Sequence, residues 1–436
     1  MVLLLIGDAP FTVVRVDNRP DNTSHMEVSG AVMYRTGGAG WISDVSGGND
    51  YEASSDSGRT WGPPYGRGSE CCDPVIRITD TVVHRIYLGG YETGYARSYD
   101  FGATWTTPQN ISSCTSTDHP WIAYRNDTLV VIYADYCDYD LKSAYSYDGG
   151  NSWNRVTVYG SGGVPLAAQD DSLFYALWWS SSSSCIYIKV ASSPDGRTWS
   201  SPSTAACMST DVSSNPYPVG YEAAGWGKGN VAVAYMADVG YYNWDIEVVV
   251  SNDGGRTWSS PVKVSDQPSA NEYMPAIAAD PYGNLHVFWY DNRDGAGQWS
   301  LYYSKSTDGG ATWSPAVRVP NYDFPFVDRS GCGGVSNVDY TGDCWPGHYI
   351  DAWADSNYVY VFWSDNSVSD HWHVFMAYAP INAVGVKESS AGTENGGKVV
   401  VFSADGRRIE GVSPEHLPAG VYFVLSNGKV KKVIRR

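Results

Sequence analysis

Short apolar runs of about eight residues, each broken by Gly, Asp, Asn or Ser, recur along the first 380 positions. Seven align with one another: 31–38 (AVMYRTGG), 82–90 (VVHRIYLGG), 129–136 (LVVIYADY), 173–180 (LFYALWWS), 231–238 (VAVAYMAD), 285–292 (LHVFWYDN) and 359–366 (VYVFWSDN). Their length and their content of Val, Ile and aromatic residues predict strands. Another strand precedes most of them and is opened by a proline, as in Asp73-Pro74, His119-Pro120, Val164-Pro165, Tyr217-Pro218 and Met274-Pro275. Proline suits the first residue of a strand, where no ladder donor is needed. A third strand follows, as at 300–305, and a short fourth, as at 316–319. Long stripes of helical period are absent, so the chain is read as all-β.

Between the third and fourth strands stands a repeated turn. Ser306-Thr307-Asp308-Gly309-Gly310-Ala311-Thr312-Trp313 has near-copies centred on Asp56, Asp100, Asp148, Asp195 and Asp253, six in all. The aspartate can accept turn amides, glycine permits positive φ, and tryptophan covers the turn with apolar area. The pattern Ser-x-Asp-x-Gly-x-Thr-Trp resembles the Asp-box of bacterial neuraminidase repeats, found in sialidases and related β-propellers. That resemblance spans roughly residues 10 to 380 and implies four-stranded blades around an axis. It also implies that the six aspartates are structural, because Asp-boxes lie at the blade periphery. Seven blades are favoured and six are the alternative if the weaker first unit is not independent. The last unit lacks an Asp-box, so its outer strand is expected from Phe11 to Val16, closing the ring and removing a sheet edge.

The domain division follows: a propeller over 1–380, a linker over 381–398, and a small β segment over 399–436. The last segment carries a Gly-Val-Tyr strand at Gly420-Val421-Tyr422 and a basic final strand from Lys429. It resembles the C-terminal sorting domain of type IX secretion cargo, although it is shorter and lacks the Asn-Pro opening of that family. A small β appendage is the alternative.

Composition narrows the partners. A formal charge of −18 disfavours nucleic acid and anionic membranes, which call for concentrated basic surface. No apolar run is long enough to cross a membrane. The apolar start from Met1 to Ile6 is either the remnant of a signal peptide or a first strand. Eight cysteines without metal-type spacing fit disulfides in an oxidising compartment. Cys332 with Cys344 and Cys185 with Cys207 are the local pairs expected.

In a propeller the inner strands converge on the axis, and the mouth at their starting ends is the default site. There the sequence puts acidic and aromatic residues. Asp73, Asp118, Glu272 and Tyr349 are candidate catalytic groups, with Glu222 an alternative to Glu272; carboxylates facing one mouth can act as acid and base on a glycosidic bond. Arg19, His119, Tyr217, Tyr273, Arg293 and His348 are candidate substrate-binding groups. The resemblance to sialidases would add three arginines gripping a carboxylate. Three cannot be assembled here, and the aromatic-Arg-Ile-Pro signature is replaced by Asp17-Asn18-Arg19-Pro20. Arg293 is expected to pair with Asp291 or Asp294. His371 and His373 read as a surface pair. Asp135, Asp138 and Asp140 could hold a structural calcium; no other cofactor is expected. The reading is a secreted or cell-surface monomeric propeller that binds extracellular glycan or glycoprotein without catalysis. An exo-acting glycoside hydrolase of sialidase type is the alternative, and a protein-interaction scaffold a second.

Overall fold

The structure, a computed structural model, describes residues 11–16, 28–33, 39–45, 49–54, 60–61, 72–79, 82–100, 102–210, 220–240, 243–295, 297–325, 350–368, 373–382, 400–403, 408–409, 420–426 and 429–435. Among them every regular element is a strand. Six antiparallel four-stranded blades follow in order. Blade 1 is Cys72–Thr79, Val82–Gly89, Glu92–Ser98 and Gln109–Asn110; blade 2 is Thr117–Arg125, Thr128–Asp135, Asp140–Ser146 and Asn154–Gly160. Blade 3 is Gly163–Gln169, Phe174–Ser181, Ile186–Ser193 and Ser203–Ser209; blade 4 is Tyr221–Trp226, Asn230–Gly240, Asn243–Ser251 and Val262–Lys263. Blade 5 is Glu272–Ala279, Leu285–Asp291, Ser300–Ser306 and Val317–Arg318.

Blade 6 contains Asp351–Ala354, Tyr358–Asp365 and His373–Pro380, and takes its outer strand, Thr12–Arg15, from the start of the chain. Thr12 lies opposite Tyr378 and Arg15 opposite Phe375, so the two ends of the propeller are hydrogen-bonded together. The weak first unit is a three-stranded sheet, Ser29–Met33, Ala39–Val45 and Asn49–Ser54. Its first strand touches the inner strands of blades 6 and 1. The six four-stranded blades thus match the six-blade count, and the sheet of the first unit, three-stranded among the described residues, lies between the first and last of them.

The middle strands carry the core. Trp178, Trp289 and Trp363, from blades 3, 5 and 6, are fully buried between faces. The continuous apolar runs in the sequence reflect burial on both faces of these strands. A separate four-stranded sheet is formed by Val400–Ser403, Arg408–Ile409, Gly420–Ser426 and Lys429–Arg435, with the Gly-Val-Tyr strand between the first and the basic last strand.

The Asp-box turns have the expected construction. Asp308 Oδ1 accepts Ser306 Oγ (2.8 Å) and the Thr312 amide (2.9 Å), and its Oδ2 accepts Thr312 Oγ1 (2.5 Å). Asp100, Asp148, Asp195 and Asp253 repeat these bonds. Hydrogen bonds from the hydroxyl and amide of Ser152 and of Thr257 pull the Asp148 and Asp253 carboxyls down to about 2. Asp56 lies outside the described residues. Gly310 is the other essential part: its φ is +88°, and a Cβ there would stand 2.7 Å from Val250 in blade 4. Asp308→Ala is expected to cost about 1 kcal/mol, and Gly310→Ala more, about 1–3 kcal/mol, since strain and overpacking add. Thermal denaturation of both variants checks that order.

Candidate functional site

The inner strands do not run straight to the axis. Asp73 (φ 50°), His119 (φ 45°), Val164 (φ 38°) and Met274 (φ 51°) all lie in the left-handed region. Each immediately precedes a proline. Register slips at the same places, between Cys72 and Val75, Asp118 and Trp121, Gly163 and Leu166, and Tyr273 and Ala276. The prolines therefore mark β-bulges within the strands rather than strand openings. Left-handed backbone is disfavoured for these residue types, and most of all for β-branched valine, so each costs roughly 1–3 kcal/mol. Bulges re-aim side chains, and here they do so at the mouth.

Blades 1 and 2 show the consequence. Successive strand residues point to opposite faces, yet the bulge brings both Asp118 and His119 toward Asp73. The His119 amide donates to Asp73 Oδ2 at 3.2 Å and to Asp118 Oδ1 at 3.1 Å. His119 Nδ1 lies 3.9 Å from Asp73 Oδ1, and Nε2 lies 3.8 Å from Asp118 Oδ2. Asp73 and His119 are buried, while the Asp118 side chain keeps 32% of its surface. Burial and the neighbouring Asp73 raise the Asp118 carboxyl above its ordinary range, against the opposing pull of His119.

An exposed aromatic ring adjoins this cluster. Tyr136 donates its hydroxyl to Asp118 Oδ2 at 3.0 Å. Its amide donates to Ser116 O (2.8 Å), and the Thr117 amide donates to Tyr91 O (2.7 Å), so both tyrosines are tied to the approach to the inner strand of blade 2. Tyr91, Tyr136 and Tyr139 are all exposed. The disulfide Cys114–Cys137 fastens the Tyr136 to Tyr139 loop to that same approach.

Deeper in the channel three blades meet at a charge cluster. Arg77 Nη1 of blade 1 pairs with Asp351 Oδ2 of blade 6 at 2.8 Å and lies 3.3 Å from Ser29 Oγ. Its guanidinium also sits 5.4 Å from the Trp121 ring of blade 2. Asp351 Oδ2 takes Ser29 Oγ (2.8 Å) and the Gly30 amide (3.1 Å), and Glu222 Oε2 takes the Ile277 amide (2.9 Å). These carboxylates satisfy inner-edge amides of the next sheet, which have no neighbouring strand to bond. Burial, and then the negative charge of Asp351, hold Glu222 well above the carboxylate range despite Arg77.

The other candidates are placed as follows. Glu272 is fully buried, and neither carboxylate oxygen has a hydrogen-bond partner. Burial, then Asp291 and Asp245, push it up to about 9. Tyr273 is buried against Trp299, ring centroids 5.2 Å apart. Arg293 is held by Asp291 (2.5 Å) and Asp266 (2.6 Å) and lies over the Tyr302 ring, so its partners are Asp291 and Asp266 rather than Asp294. Arg19, Tyr217, His348 and Tyr349 lie outside the described residues, as does the expected Cys332–Cys344 pair. Asp138 and Asp140 are both bonded to Lys142 Nζ, at 2.5 and 2.9 Å, and Asp135 caps the Cys137 amide at 3.0 Å. An ammonium thus sits at two of the three groups considered for calcium. His373 is buried and bonded to Arg15, not a surface residue; His371 is outside the described set. Cys185–Cys207 is bonded as expected.

Sequence reasoning missed Arg77, Asp351 and the tyrosines at 91, 136 and 139. A signal for Tyr136 was present, since it directly follows the Asp that ends an apolar run beside a cysteine.

Residues 230–377, which cover most of blades 4 to 6, match the family of BNR repeat-like domains. The chain is a β-propeller, and this segment of it is similar to BNR repeat-like domains. No curated protein matches it by sequence. Among solved structures, YCF48 bound to D1 peptide aligns at TM-score 0.50 with 15% identity, covering 88% of this chain and 97% of that one. A Hadza microbial sialidase aligns at TM-score 0.44 with 14% identity, over 79% and 74%. The six-bladed fucose-recognising lectin of Aleuria aurantia aligns at TM-score 0.43 with 13% identity, over 85% and 100%. At such identities the likeness is one of fold. The described residues include no helix long and apolar enough to cross a membrane.

Proposed function

We propose that this β-propeller is an extracellular protein that binds glycan or glycoprotein at the mouth over blades 1 and 2, without cleaving it. The observation that carries the reading is the convergence of Asp73, Asp118 and His119 beside the exposed Tyr136, whose hydroxyl is bonded to Asp118. Carboxylates and imidazole can accept and donate to sugar hydroxyls, and tyrosine faces can cover the apolar face of a pyranose. The disulfide at this rim holds the loop in place and suits an oxidising compartment. The C-terminal sheet supports export by a type IX-like route.

Absence of catalysis is supported by how the other ionisable groups are used. Cleavage calls for two carboxyl groups facing a bond that enters between them. Glu222, Asp351 and Glu272 are buried, and the first two cap backbone amides. Arg77 and Arg293 are engaged by carboxylates, leaving neither poised for a sugar carboxylate.

The test is hydrolysis of fluorogenic aryl-sialosides and of neutral and uronic aryl-glycosides by the purified chain. No turnover is expected. Turnover abolished by Asp73→Asn or Asp118→Asn, in variants that remain folded, would replace this reading with that of an exo-acting hydrolase.

A further inference from the structure

We propose that Asp73, Asp118 and His119 form a binding site for one first-row divalent cation, Zn²⁺ or Mn²⁺, set in the mouth between blades 1 and 2. One ligand atom from each residue lies within 4.8 Å of the other two. The set is not a run of acids on a surface loop. It joins two inner strands, and two of its three members are buried.

The distances favour an ion over direct bonding between ring and carboxylates. The two imidazole-to-carboxylate separations, 3.9 and 3.8 Å, exceed hydrogen-bond range. Ligands held at about 2.0–2.2 Å from a common metal lie roughly 3–3.5 Å apart in octahedral or tetrahedral geometry. Those two separations run to different ring nitrogens, of which one ligates the ion, so the three atoms found within 4.8 Å of one another draw in by up to about 1 Å to become a coordination set. A dication would also relieve the repulsion of two carboxylates brought together in a partly buried place.

Donor chemistry selects the ion. Two carboxylates and an imidazole suit zinc or manganese, whereas calcium prefers an all-oxygen shell of six to eight ligands. Three protein ligands leave coordination positions open, as in metal sites that engage a ligand rather than close on themselves. The exposed side of the cluster is that of Asp118, next to Tyr136, so the open positions face the mouth. There they would take hydroxyl oxygens of a sugar; this last step rests on the glycan-binding reading, whereas the ion site does not. The other close group, Cys114, Asp135 and Cys137, is unsuited because its two sulfurs are bonded to each other.

The experiment is isothermal titration of the chelator-treated full chain with ZnCl₂, MnCl₂ and CaCl₂, without glycan. One zinc or manganese ion per chain is expected at micromolar Kd or tighter. Asp118→Asn and His119→Gln are each expected to weaken it by about tenfold or more, with the near-UV circular dichroism of the folded protein retained. Asp118→Asn is the safer variant for folding, since that side chain is the exposed one. Affinity unchanged in both variants, no binding to the parent chain, or calcium binding indifferent to His119→Gln would each overturn the site. Glycan binding that survives chelation would remove the ion's role toward sugar while leaving the titration to decide the site itself.

Discussion

Replacing Arg77 with methionine is expected to destabilise the propeller by about 3–5 kcal/mol, the cost of leaving buried charge without its partner. Asp351 is fully buried and Glu222 nearly so, and Arg77 is the cation that both face. Methionine keeps much of the apolar stem but removes the 2.8 Å ion pair to Asp351. The Ser29 hydroxyl and Gly30 amide still donate to Asp351, but they carry no full charge. Adding Asp351→Asn and Glu222→Gln to Arg77→Met should recover part of the loss, because neighbouring charges couple non-additively. Urea unfolding of the single and triple variants reads both effects. A single-variant loss below about 1 kcal/mol would mean that the cluster is hydrated and does not join the blades.

The second large effect concerns Glu272. Its folded carboxyl titrates at about 9 against an ordinary value of 4.5, because of burial first and then of Asp291 and Asp245. Between those two values the folded chain keeps a proton that the unfolded chain has released. Stability therefore falls as pH rises from about 4.5 to about 9 and levels off above. Glu272→Gln removes this dependence while keeping the shape of the protonated acid. At pH 8 the variant is expected to be more stable than the parent by on the order of 2–4 kcal/mol, and at pH 4 the two should be nearly equal. Subtracting the two stability curves isolates Glu272, since every other group is common to both. Parallel curves from pH 4 to 9 would show that the Glu272 carboxyl is solvated in the folded protein.

The parts of this fold that were legible in the sequence are those encoded locally. An Asp-box is eight residues whose hydrogen bonds close within itself, as from Ser306 and Thr312 to Asp308, so its sequence is its structure. The closing strand at Thr12–Arg15 followed from counting, since the last unit lacked an outer partner. The bulges were not legible. A residue before proline is ordinarily extended, and nothing local in Asp73-Pro74 or His119-Pro120 announces a positive φ; the ring of inner strands imposes it. Nor could the sequence join Arg77 to Asp351, which are 274 residues apart. The disulfides show the same boundary: the Cys114–Cys137 and Cys185–Cys207 separations are 23 and 22 residues, and only the second was expected.

At the mouth, Asp73, Asp118 and His119 were each legible as residues at the start of an inner strand. Their convergence was not, because alternation alone would send Asp118 and His119 to opposite faces. The tyrosines were hidden for another reason. An exposed aromatic in a loop has no periodic signature, and the solvent-facing Tyr99 and Tyr147 of the Asp-boxes look the same in sequence as Tyr136 and Tyr139.

The measurement that bears most directly on the central claim is a glycan array probed with the labelled chain and with Asp118→Asn, Tyr136→Ala and Tyr282→Ala. Tyr282 is also exposed, but it lies in the turn after the inner strand of blade 5, at the end opposite the mouth. The account predicts a defined set of retained glycans, lost with Asp118→Asn and Tyr136→Ala and kept with Tyr282→Ala. No glycan retained by the folded parent chain, or retention indifferent to the two mouth substitutions, would contradict it.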